Sequence, residues 1–161
     1  MKRSARALAV SLGASAAAAV IGGLGSRRAP EVYAELEKPA WAPPPSAFGP
    51  VWTVLYADMG VAAWRLWRTG TARTPLVLHG AQLALNAAWP IAFFGARSRR
   101  PSLAIIVALD ATIAAEIVTA KRHDRVAATM LVPYLGWTLF ATALNHAVRW
   151  PSNQSATARV R

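Results

Sequence analysis

The chain contains no cysteine, and only 7 of its 161 residues are Asp or Glu. Without cysteine, disulfide frameworks, cysteine-ligated zinc and thiol nucleophiles are excluded. Charge as a whole is scarce, at 16% of residues, against about 25% in ordinary soluble domains. It is missing altogether from three stretches, 7–26, 74–96 and 126–148. Segment 47–64 is interrupted only by Asp58, and 101–120 only by Asp110 and Glu116. A helix that crosses a bilayer needs about 20 mostly apolar residues. These absences therefore predict five spans in one small chain.

What is present is apolar and basic. Hydrophobic residues make up 55% of the chain, and 18 Lys and Arg leave a net charge of +11. A nucleic-acid binder would gather those cations on one face among aromatics. Here they fall between the apolar runs in groups of three, so nucleic acid is not an expected partner. Lys2, Arg3, Arg6, Arg65, Arg68, Arg73, Lys121, Arg122 and Arg125 would share one side of a five-helix bundle. Arg27, Arg28, Lys38, Arg97, Arg99, Arg100, Arg149, Arg159 and Arg161 would share the other. The positive-inside count is tied, and orientation stays open. The first apolar stretch has a rival reading as a signal peptide, but it exceeds the usual apolar core of about 7–15 residues, which favours a retained helix.

The reading is an all-α integral membrane bundle of five transmembrane helices. The helices are expected at about 6–26, 47–68, 75–96, 102–121 and 125–149, with a lid loop at 27–46. In the first, Gly22, Gly23 and Gly25 would let a neighbour approach closely. The lid loop carries Pro30, Pro39 and Pro43-Pro44-Pro45. Proline lacks an N–H and restrains the residue before it, so this segment should be extended or turning around Trp41. The second helix should open with Ser46 as N-cap, or at Gly49 with Pro50 as first residue. Trp52 and Tyr56, four apart, share a face of it. Trp64, Trp67 and Trp150 read as an interfacial belt.

Gly80, Ala84 and Ala88 form a small-residue stripe on the third helix, a packing or dimer face. Pro90 cannot bond the carbonyl of Asn86. Side chain and freed carbonyl thus place polarity at one depth in hydrocarbon, where unmet groups cost about 4–8 kcal/mol on an alkane-transfer scale. A neighbouring helix, a water or a ligand must satisfy them. Asp110 and Glu116, six residues apart, point about 120° from one another and form no shared-proton dyad on their own helix. Asp110 is the better functional candidate, with a structural hydrogen bond favoured over either role; the alternative for Glu116 is to snorkel toward Lys121 or Arg122. In the fifth helix Pro133 frees the carbonyl of Thr129, and Tyr134 and Trp137 follow. His79, His123 and His146 lack the paired spacing of metal ligands, so no metal site is expected.

The segments Lys38-Pro39-Ala40-Trp41-Ala42-Pro43-Pro44, Phe48-Gly49-Pro50-Val51-Trp52-Thr53-Val54-Leu55-Tyr56 and Met59-Gly60 resemble the translocator protein family, also called tryptophan-rich sensory protein (TspO/MBR). Gln82-Leu83-Ala84-Leu85-Asn86, Trp89-Pro90 and Phe93-Phe94-Gly95-Ala96-Arg97 resemble its third helix, and Pro133-Tyr134-Leu135, Trp137, Phe140-Ala141-Thr142 and Leu144-Asn145 its fifth. The resemblance runs from about Tyr33 to Asn145 in the family's order.

It implies a five-helix membrane bundle, usually dimeric, with a ligand pocket under the first loop. Its pocket would use Trp41, Trp52, Tyr56, Asn86, Trp89, Trp137 and Ala141. The implied ligand is a porphyrin or other tetrapyrrole, haem included, bound without a required cofactor. The expected setting is a bacterial cell membrane. Animal members end the fifth helix with a cholesterol-recognition pattern, whereas His146 stands here in the tyrosine position. The resemblance thus points to tetrapyrroles over cholesterol. Glu116 stands where an apolar residue is expected. A non-enzymatic sensor, regulator or carrier is the expected function. The alternatives are light- or oxygen-dependent porphyrin degradation, and transport using Asp110.

Overall fold

The computed structural model describes residues 2–150; Arg159 and Arg161, counted above toward one side, lie outside them. Seven α-helices follow in order: α1 Lys2–Gly25, α2 Ala29–Glu35, α3 Phe48–Thr69, α4 Arg73–Pro90, α5 Arg99–Ala120, α6 Arg125–Met130 and α7 Val132–Ala147. A 3-10 turn, Pro45–Ala47, leads into α3, and a π-helical turn, Ile91–Gly95, prolongs α4. The one β-type pairing among the described residues is a single antiparallel bridge between Glu37 and Arg149.

Four stretches are long and apolar enough to cross a membrane: Ser4–Gly25, Arg73–Gly95, Arg99–Ala120 and Arg125–Ala147. Outward-facing Val20, Val77, Val107, Val118 and Leu139 give the bundle an apolar exterior, the surface a bilayer solvates. Its interior is a core of Leu55, Met59, Leu66, Leu109, Ile113, Leu131 and Tyr134.

Helix ends follow local chemistry. Pro90 sits inside the helical path, and the chain absorbs the lost bond by widening: Ala96 N–H donates to Ile91 O, five residues back, at 2.8 Å. Pro133 divides the last span at Leu131, so α6 and α7 replace the single helix expected over 125–149. The second long helix opens differently from the expectation. The 3-10 turn carries Ser46 into the chain path, Ala47 takes the N-cap place, and no side chain caps the end. Asp124 does cap: its Oδ1 accepts from Val126 N at 2.9 Å and Ala127 N at 3.0 Å.

Of Gly22, Gly23 and Gly25, Gly25 is the one at a close approach. A Cβ there would lie 2.8 Å from Ile91 Cγ1 and 3.0 Å from Ile91 N. Gly22 has only ordinary contacts, and Gly23 faces open space. A second close approach has no local sequence signal: a Cβ on Gly60 of α3 would meet Leu12 Cδ2 of α1 at 2.6 Å.

The 27–46 segment is partly helical. Pro30 falls in the first turn of α2, where its missing N–H costs nothing. Val32 and Leu36 are buried among Phe93, Leu144 and Val148. The remainder is tied down by polar contacts. Glu37 and Arg149 exchange backbone bonds of 3.1 Å, Tyr33 Oη donates to Pro43 O at 2.8 Å, and Arg97 pairs with Glu35 at 3.1 Å.

Candidate ligand chamber

Beneath this segment lies a cavity of about 350 Å³, within the range of about 300–1,000 Å³ typical of small-molecule sites. Helix α1 contributes Ala19, Gly22 and Gly23, and the strap over it contributes Tyr33, Leu36 and Pro45. Helix α3 supplies Phe48, Trp52 and Tyr56, α4 with its π turn supplies Asn86, Trp89, Phe93 and Phe94, and α7 supplies Trp137, Ala141 and Asn145. The lining is predominantly apolar and aromatic.

The rings brace one another. Phe48 meets Trp137 edge-on at 5.9 Å, Trp52 lies 5.6 Å from Tyr56, and Trp89 stacks on Phe93 at 5.1 Å. Such contacts hold aromatic walls in place without ligand. The indole N–H groups of Trp89 and Trp137 and Oδ1 of Asn145 are buried without a protein partner. Buried polar atoms ordinarily have one, and all three belong to residues that line the chamber.

Six of the seven residues expected at the pocket line it: Trp52, Tyr56, Asn86, Trp89, Trp137 and Ala141. Trp41 stands elsewhere. It is 51% exposed, and its ring packs edge-on against Phe140, which in turn contacts Trp137. It therefore buttresses the wall from outside. Gly80 and Ala84 face outward on α4, and Ala88 is half-buried. Among the belt tryptophans, Trp67 is exposed, while Trp64 donates to Ser4 O at 3.1 Å. Trp150 instead packs on Phe93, 5.7 Å away, beside the chamber wall.

The polarity of Asn86 is met by two other helices. Its Oδ1 accepts from Tyr56 Oη of α3 at 2.5 Å, and its Nδ2 donates to Tyr134 Oη of α7 at 2.8 Å. Tyr134 Oη donates onward to Gln82 Oε1 at 2.8 Å. Asp110 Oδ2 accepts from Thr142 Oγ1 at 2.6 Å, a bond between α5 and α7.

Glu116 takes the structural hydrogen bond that was favoured for it over a reach along its own helix. It does not reach toward Lys121 or Arg122. Its side chain is 0% exposed, with Oε1 2.8 Å from Nδ1 of His79 on α4. Sequence reasoning missed this pair and the roles of Gln82 and Tyr134. One signal was present: His79, Gln82 and Asn86 recur at three- and four-residue spacing, a polar stripe on one face of an apolar helix. Among the described residues, no group of three or more His, Asp or Glu side chains forms a metal site.

Outside the spans, the Tyr33 hydroxyl is pushed above the ordinary tyrosine pKa by burial. Partial burial raises the Asp124 carboxyl. The Ala127 N–H, the Arg65 guanidinium and the Val126 N–H outweigh it, so the pKa lies below the ordinary aspartate value.

Residues 9–151 match the family model described as the TspO/MBR family. The chain is similar to the human protein named Translocator protein, 40% identical over 151 residues, covering 91% of this chain and 86% of that one. It is 42% identical over 118 residues to the Tryptophan-rich protein TspO of Archaeoglobus fulgidus, covering 72% of this chain and 76% of that one. It is 36% identical over 115 residues to the Tryptophan-rich sensory protein of Cereibacter sphaeroides, covering 71% and 73% of the two chains.

Proposed function

The chain belongs to the TspO/MBR family of membrane proteins, and from that premise we propose that it binds a porphyrin or related tetrapyrrole in the chamber under the 27–46 strap. It does so as a sensor, regulator or carrier, and not as a catalyst. The observation that carries this reading is the chamber itself: three tryptophans, Trp52, Trp89 and Trp137, wall a cavity whose polar groups are few. Flat aromatic walls favour a large planar apolar guest, and a few polar atoms fix its edges.

Helix α3, 22 residues long, serves in this reading as the fifth span beside the four more apolar ones. At about 1.5 Å per residue it is long enough for a hydrocarbon core of about 30 Å. The outward stripe of Gly80 and Ala84, continued by Ala88, is the face on which two copies would meet.

Titration of the detergent-purified protein with protoporphyrin IX, followed by tryptophan quenching, tests the reading. Saturable quenching is expected, with weaker binding in Trp137→Phe and Asn86→Ala. Unchanged affinity in both variants would sink it.

A further inference from the structure

Tyr56 and Asn86 stand at the chamber, and from them a hydrogen-bonded chain runs inward behind its wall. It passes through Asn86, Tyr134 and Gln82 to the buried pair His79 and Glu116. From Tyr56 as far as Gln82 every donor points the same way. Tyr134 takes its bond from Asn86 Nδ2 and gives its proton to Gln82 Oε1, which leaves Asn86 Oδ1 facing Tyr56. A carbonyl oxygen cannot donate, so Tyr56 must spend its proton on Asn86. Its lone pairs are what remain for the chamber.

The same side chains permit one other pattern. With both amides turned over, every bond reverses, and the Tyr56 proton is released toward the chamber. The inner end decides between the two. Gln82 Nε2 lies 3.6 Å from Met59 Sδ and 3.3 Å from His79 Nδ1. That nitrogen is itself 2.8 Å from Glu116 Oε1. The Met59 thioether accepts and cannot donate, and the Glu116 carboxyl behind the His79 ring, with Oε2 unpartnered, adds oxygen lone pairs to this end. An amide N–H₂ is at home facing it; an amide oxygen would meet lone pairs.

We propose that the His79–Glu116 pair is a remote specificity determinant: it fixes the polarity of the hydrogen-bonded chain so that Tyr56 accepts from the ligand, and the chamber selects flat aromatic guests that carry an N–H or O–H donor. The inference rests on the chamber's being the ligand site. His79 and Glu116 are positioning residues, acting through Gln82 and Tyr134, and touch no ligand.

Carbazole and dibenzofuran test it, being flat tricycles of one shape that differ by an N–H against an ether oxygen. Their affinities are read as displacement of bound protoporphyrin IX from the full-length protein. The wild-type chain should favour carbazole about five- to tenfold, the worth of one hydrogen bond in a dry site. Tyr56→Phe should erase the preference. Gln82→Met cuts the chain at constant volume, and the double variant His79→Phe/Glu116→Leu removes the acceptor end. Each should bring the ratio within about twofold. A purely structural loss would weaken both probes alike and leave the ratio unmoved. Gln82→Met carries the test if the double variant does not fold. A wild-type ratio near one, or a ratio that survives both inner changes, overturns the inference alone. If neither probe displaces bound porphyrin, the chamber reading falls and this inference with it.

Discussion

Replacing Tyr134 by Phe removes one oxygen and leaves the ring, including its edge-on contact with Trp52 at 6.4 Å. What disappears is the hydroxyl that accepts from Asn86 Nδ2 and donates to Gln82 Oε1, both at 2.8 Å. Tyr134 and Gln82 are fully buried and Asn86 nearly so, so the two groups lose their partner away from bulk solvent. Two estimates bracket the cost. Interhelical hydrogen bonds in membranes average about 0.6 kcal/mol, or about 1.2 kcal/mol for the two. Leaving a buried group unsatisfied costs about 1–3 kcal/mol, or up to about 6 kcal/mol for two. The lower figure reflects unfolded states in which polar groups find other partners. The upper one assumes no relaxation. Because Asn86 keeps its bond to Tyr56, we expect about 2 kcal/mol.

Reversible unfolding in mixed dodecyl maltoside and SDS micelles, followed by circular dichroism, gives the number. A cycle with Gln82→Leu sharpens it. Once the Gln82 oxygen is gone, Tyr134→Phe should cost about 1 kcal/mol less, the coupling expected of groups in one network. A loss under about 0.5 kcal/mol together with no coupling would refute the claim that this hydroxyl joins α4 to α7.

The remaining predictions concern helix contacts and an end cap. Gly25→Val should lower stability by about 1–3 kcal/mol through overpacking against Ile91, whereas Gly23→Val, with open space at its Cβ, should leave the melting temperature in detergent nearly unchanged. Asp124→Ala should cost about 1 kcal/mol at pH 7 by removing the α6 cap. Because the folded carboxyl has the lower pKa, its contribution is fully present above the unfolded value near pH 4 and disappears as pH falls through the folded one. The stability gap between wild type and variant should therefore close on acidification below about pH 4, and a gap that persists at pH 2 would contradict the assignment.

Much of the fold is legible because hydrocarbon forbids charge. The charge-free stretch 74–96 foretells α4 and its π turn, Arg73–Gly95, and 101–120 foretells α5 almost to the residue. Helix α2 was legible in principle, since Pro30 followed by Glu31 suits a first helical turn. The density of prolines further along hid it. Positions that depend on a neighbouring helix left no local trace. At Gly60, unlike Gly80, Leu12 and Ser15 of α1 cross the position a Cβ would take. Glu116 could also be read as seeking a cation on its own helix because its partner, His79, lies 37 residues earlier on α4.

The pocket was legible through the family resemblance and obscure where packing decides. Trp52 and Tyr56 share a helix face that spacing reveals, the resemblance added Asn86, and all three line the chamber. Trp41, in the same proline-rich frame, turns outward because Phe140 offers it an edge. Asn86 was expected to need a partner. That the partners are two tyrosines from different helices follows only from the bundle.

The most direct test of the chamber as the tetrapyrrole site is to fill it. Ala141 lies on the α7 wall, and Ala141→Trp would place an indole in the space assigned to the guest. Equilibrium titration with protoporphyrin IX, read from the porphyrin's own absorbance shift, should show binding at least about 100-fold weaker than wild type, a loss of about 2.7 kcal/mol. A folded Ala141→Trp protein that binds protoporphyrin IX with wild-type affinity would place the site elsewhere and contradict the account.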